Sequence, residues 1–184
     1  MRILHDHRSN ASIESEWYSD ATCAAVLCAS ICRRWRALAL SFPWLWNHVY
    51  VNIAAGSQAT RNLIALQFQR SEALPLDLSI DCHDAAPQKD TFRDILRQSA
   101  RWRTFRFSYH VWGDVFHRFQ RPTPLLELFS LQSEYHPIHG PYRCLRPGEA
   151  VVFLPYAPRL RTLEIPACAL HRIPLIPRPS LQRL

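Results

Sequence analysis

Lysine is almost missing from this chain: Lys89 is the only one, and arginine supplies the rest of the 22 basic side chains. Glycine is nearly as scarce, with only four, Gly56, Gly113, Gly140 and Gly148, in 184 residues. They stand too far apart for a Gly-x-Gly-x-x-Gly turn or a phosphate-cradling loop, so nucleotide binding by those two routes is excluded. No apolar run is long enough to span a bilayer. The first residues are polar and charged, with no apolar signal core. No Gly-x-Ser-x-Gly elbow is present. The six cysteines are scattered and lack the close spacing of a disulfide scaffold. Without an export signal, reduced thiols in the cytoplasm or nucleus are expected.

What remains is an ordinary globular composition, 48% hydrophobic and 20% charged, with a net charge of +7. The arginines are spread through most segments, which fits an evenly basic surface better than one phosphate-binding face. Arginines interleave with Trp35, Trp102 and Phe105, so a basic, aromatic nucleic-acid binder is one alternative reading, and a free-standing repeat scaffold is the other. Those aromatics coincide with apolar positions that a core needs. Cys28 and Cys32 are four apart, and His5 with His7, and His136 with His139, form isolated pairs. None has a second pair at metal-ligand spacing, so neither a metal nor another cofactor is expected. Cys82 beside His83 would point to opposite faces of a strand, and no catalytic residue is assigned.

The densest stretch runs from Cys32 to Trp46. Ala21–Leu40 has no Gly or Pro, and Leu27, Ile31, Trp35 and Leu38 recur at steps of four, four and three. That spacing predicts one amphipathic helix with Arg33, Arg34 and Arg36 near its C-terminus, where the macrodipole favours cations. Pro43 closes it, because proline disfavours the α region for the residue before it. Trp44, Leu45 and Trp46 then form an apolar anchor able to fold back on the helix.

Cys32, Arg33, Trp35 and Arg36, then Leu38-Ala39, Pro43 and Leu45-Trp46, resemble the second half of an F-box, in the F-box-like form common in fungi. The Leu-Pro-x-Glu opening of that family does not stand here, since Met1–Asp20 has no proline. The resemblance implies an adaptor role: binding a Skp-family protein within a cullin–RING (SCF-type) ubiquitin ligase and recruiting a protein substrate. The residues that would carry adaptor contact are Leu27, Ile31, Trp35, Leu38, Pro43, Leu45 and Trp46.

The chain divides into a loose tail (1–19), the F-box-like helical segment (20–52), with Ser19 or Asp20 as its cap, and a region of repeats (53–184). Alternating strands are expected around Trp46–Val51, Ala73–Ile80, Trp102–Phe107, Leu126–Leu131 and Leu160–Ile165, with Leu181–Leu184 opening another. Helices are expected over Ser57–Arg70 and Asp90–Ser99, and a turn of helix within Ala150–Tyr156. The starts recur every twenty to thirty-five residues or so, the range of solenoid repeats. The expected fold is therefore α+β or α/β: a helical remnant followed by an irregular leucine-rich-repeat-like solenoid with a parallel sheet. Pro75–Ile80, Arg101–Arg103 and Ala157–Leu163 also resemble the region that follows the F-box in the fungal proteins. The prolines between Gln132 and Glu149 break regular structure, and the array shows no polar terminal cap, so a shortened chain is expected. In each repeat the residue between two alternating apolar positions would face a substrate: Tyr50, Asp77, Arg106, Ser130 and Glu164. Their mixed charge suits a protein ligand better than a nucleic acid.

Overall fold

The computed structural model describes residues 24–52, 58–82, 89–109, 119–132 and 154–165. The expected cap at Ser19 or Asp20, Ser57, the Pro-rich stretch after Gln132 and the strand at Leu181–Leu184 lie outside these residues.

The single expected helix is two. Residues 24–31 form α1, and Arg33–Ser41 form α2, with Cys32 between them in extended conformation (φ −158°, ψ 173°). The break is made by side chains. Ser30 Oγ donates to the Val26 carbonyl at 2.7 Å, a back-bond that bends helices. Arg36 Nε donates to the Ala29 carbonyl at 2.7 Å, taking the acceptor that a continuous helix would offer to the Arg33 amide. The arginines therefore begin α2 instead of ending a longer helix, so the macrodipole expectation holds only for Arg36, which caps α1. A 3-10 turn, Pro43–Trp46, follows α2. Trp46 belongs to this turn and not to the strand, and its Nε1 donates to the Ala39 carbonyl at 2.9 Å.

Among the described residues, five strands make one all-parallel sheet: β1 His48–Asn52, β2 Leu76–Cys82, β3 Trp102–Tyr109, β4 Leu128–Gln132 and β5 Thr162–Glu164. Their spatial order is their chain order. Helices α3 (Gln58–Arg70) and α4 (Lys89–Arg97) connect β1 to β2 and β2 to β3. The five expected strands that fall on described residues are present, shifted by up to three residues at their starts. Residues 154–156 are not helical.

The alternation works as a strand period requires. One row crosses the sheet as Val49, Leu78, Phe105, Phe129 and Leu163, and the next as Val51, Ile80, Phe107 and Leu131. All nine are buried in one core with Ile64 and Phe68 of α3 and Phe92 and Ile95 of α4. Phe105 stacks on Phe129 at 5.4 Å, and Phe119 meets both edge-on, at 5.3 and 5.2 Å. Phe119, Leu126, Leu154 and Leu160, from segments without regular structure among the described residues, fill the same core. The opposite face of the sheet is polar from end to end, apart from Leu128.

Candidate interaction surfaces

The first surface is an apolar ridge on α1, α2 and the turn after them. Leu27 is 63% exposed, Ile31 64%, Trp35 49% and Trp44 59%, and Leu38, Phe42 and Leu45 are exposed beside them. The cause is local. Within α2 only Ala39 is buried, so the helix rests on the rest of the chain along one narrow line. Trp46, by contrast, is 2% exposed and hydrogen-bonded inside. Of the residues expected to meet an adaptor, Leu27, Ile31, Trp35, Leu38 and Leu45 are therefore presented outward and Pro43 is half-buried. Trp46 is a correction: its indole closes the turn against α2 and faces the interior. Phe42 and Trp44 join the ridge without having been assigned to it. Trp44 carried only the weak signal of a large ring beside a proline turn, and Phe42 carried none.

The second surface is the polar face of the sheet. The register sets Tyr50, Ser79, Arg106, Ser130 and Glu164 in one row. Four of the five residues expected to line up do so. Asp77 does not, and Ser79 takes its place. Asp77 lies one row below, paired with His48 on one side and Thr104 on the other. The β1–β2 register sets this, since Tyr50 pairs with Ser79, and a bulge follows in β3. Leu76 pairs with Trp102 and Asp77 with Thr104, which leaves Arg103 as an extra residue in β3. Bulges re-aim side chains, and this one turns Arg103 onto Asp77. Its Nε donates to Oδ1 at 2.9 Å and its Nη2 to Oδ2. Thr104 Oγ1 donates to the same carboxylate at 3.0 Å, and His48 Nδ1 lies 3.3 Å from it.

Asp77 is 3% exposed and so saturated. Its role is to hold three strands together at their starts. Ser130 is also fully buried, so it too stands behind the surface instead of on it. What the face presents outward is Glu164 and Asn52 at its two ends, with half-buried Tyr50, Ser79 and Arg106 between them. Tyr50 donates its hydroxyl to Asp81 Oδ2 at 3.2 Å. Burial first, then the Asp81 charge, raises the Tyr50 phenol to about 12. On the core side, burial and then Asp81 push the Cys82 thiol up to about 12.

The aromatics of the nucleic-acid alternative divide. Trp102 and Phe105 are buried and stacked on each other at 4.3 Å, so neither offers a platform to a base. Only Trp35 is exposed. Among the described residues, no group of three or more His, Cys, Asp or Glu is placed to hold a metal ion. No described helix is long and apolar enough to cross a membrane. In comparison with known proteins, no family model matches the chain, no curated protein matches its sequence and no solved structure matches its fold.

Proposed function

We propose that this chain is an F-box-like adaptor that joins a protein substrate to a Skp-family protein of a cullin–RING ubiquitin ligase. The observation that carries the reading is the ridge from Leu27 to Leu45. A monomer rarely leaves so many large apolar side chains together in water, and such a patch marks a partner surface. It overlaps the residues that resemble the F-box at Trp35, Leu38 and Leu45. The exposed apolar pairs, Leu27 with Ile31 on α1 and Trp35 with Leu38 on α2, suit a partner whose own apolar helices complete the packing.

The sheet supports the second half of the reading. An all-parallel sheet usually has both faces covered and apolar. This one has a single apolar face, and its strands follow one another in chain order. Units that each add one strand beside the last are the plan of a solenoid, and a leucine-rich-repeat-like array is the finer fold we assign. The polar face then holds the substrate, through Tyr50, Arg106 and Glu164, with Ser79 completing the row. The protein performs no covalent chemistry itself. It raises the concentration of substrate beside the ligase, an effective-concentration mechanism.

The test is capture of a purified Skp-family adaptor by the full chain. Trp35→Ala and Leu38→Asp are expected to lose the adaptor while keeping the fold, because both side chains are exposed. Equal capture by both variants and the parent chain would overturn the reading. Salt-sensitive binding to oligonucleotides without adaptor capture would favour the basic nucleic-acid alternative.

A further inference from the structure

The ridge differs from the rest of the described chain in charge as well as in exposure. Residues 24–52 contain no aspartate or glutamate, and apart from His48 their ionisable charge is Arg33, Arg34 and Arg36. Several arginines of the sheet and its helices are answered by acids, whereas Arg121, Arg159 and Arg161 are exposed without an ion pair among the described residues. Arg61 pairs with Asp94 at 3.1 Å, Arg93 with Asp90 at 2.7 Å and Arg97 with Asp94 at 3.0 Å, while Arg103 grips Asp77. Arg36 is engaged with the Ala29 carbonyl. Arg33 and Arg34 are exposed and make no ion pair or hydrogen bond among the described residues.

Arg34 and Leu38 are four residues apart, which at 3.6 residues per turn sets them about 40° apart on α2. One unanswered charge thus borders the ridge directly, and Arg33 extends the basic edge behind it. Apolar side chains in the middle and one sign of charge at the rim is the arrangement that steers a complementary partner. A basic rim on a segment, 24–52, that itself carries no acidic residue would repel a basic partner and leave a neutral one indifferent.

We infer that the partner surface docking on this ridge is an apolar groove with an acidic border, and that Arg33 and Arg34 set how fast it is found. This rests on the adaptor reading, and it adds the chemistry of the contact. The two parts of the surface then divide the kinetics. The rim arginines act on encounter, which is long-range and screened by salt. The apolar residues act on dissociation, because they are desolvated only once the partner is seated.

The experiment is stopped-flow association of the full chain with a purified Skp-family adaptor, between about 0.05 and 0.5 M salt. The association rate of the parent chain should fall on the order of tenfold across that range. R33E/R34E should associate about tenfold more slowly at low salt and lose the falling salt dependence, with its dissociation rate unchanged. R33Q/R34Q should lie between. Trp35→Ala should dissociate faster and keep the parent's salt dependence. Tight binding that ignores salt, or an R33E/R34E variant that associates as fast as the parent, overturns the acidic border alone. Absence of binding at every salt concentration overturns the adaptor reading and this inference together.

Discussion

Trp44 and Trp46 show how far two identical side chains can differ when they stand two positions apart. Both follow the same proline. The 3-10 turn sends Trp46 inward to the Ala39 carbonyl and leaves Trp44 in water. Truncating a buried tryptophan leaves a cavity and an orphaned carbonyl, so Trp46→Ala should cost about 3–5 kcal/mol in urea unfolding. Trp44→Ala should change stability by no more than about 0.5 kcal/mol. Its effect belongs to adaptor capture. The buried acids and thiols give a second expectation. Tyr50 rises from 10.0 to about 12 and Cys82 from 9.0 to about 12, both first through burial. The fold therefore holds these two protons more tightly than the unfolded chain does. Their contribution is complete below pH 9 and is lost as pH rises from 9 through about 12. Urea midpoints should fall across that window. Tyr50→Phe should remove part of the fall, and an unchanged profile in that variant would contradict the raised phenol, burial and Asp81 together.

Elements are joined by a few polar side chains placed where backbone groups run out. Arg101, in the 3-10 turn Ser99–Arg101 before β3, reaches back to the end of α3. It donates to the Leu74 carbonyl at 3.1 Å, to Phe68 at 3.4 Å and to Ser71 Oγ at 2.7 Å. Burial lowers its guanidinium below the ordinary value, and the bonds keep the charge in place. Arg101→Ala should cost about 2–3 kcal/mol, because several buried acceptors lose a charged donor. Arg101→Lys should recover only part of this, since one ammonium cannot match the planar fork. The turn it holds carries Glu72 at φ 49°, a left-handed position. Glu72→Gly should gain up to about 1 kcal/mol in the same assay. None of this was legible in the sequence, because Arg101 looks like any other arginine beside a tryptophan. The strands themselves were legible, since Val, Leu and Phe alternate there with polar residues. Their register was not. Leu76, Leu78, Ile80 and Cys82 offer four apolar positions in β2, and nothing local says which one faces Phe105. The bulge at Arg103 decides it. The break at Cys32 was hidden for a similar reason: no Gly or Pro marks it, and a side chain seven residues away from Ala29 makes it.

Across the whole molecule, burial is uneven, and stability should follow it. The ladder from β2 through β4 is enclosed by aromatic packing, whereas α2 buries a single alanine. Opening free energies in such a chain range from almost nothing at loosely held elements to the global value in the core. In hydrogen exchange of the free chain, amides of α2 should therefore exchange first and those of β3 last. Adding the Skp-family adaptor to saturation should protect Arg33–Trp46, because the ridge then loses its water, and should leave β2–β4 as they were. That pattern separates docking from general stabilisation. A partner that bound the polar face would instead slow exchange in β1 and β2. A partner that tightened the whole fold would slow every amide that exchanges by global unfolding. If protection appears in the sheet and not along α2, the ridge is not the adaptor surface, however exposed it is in the free chain.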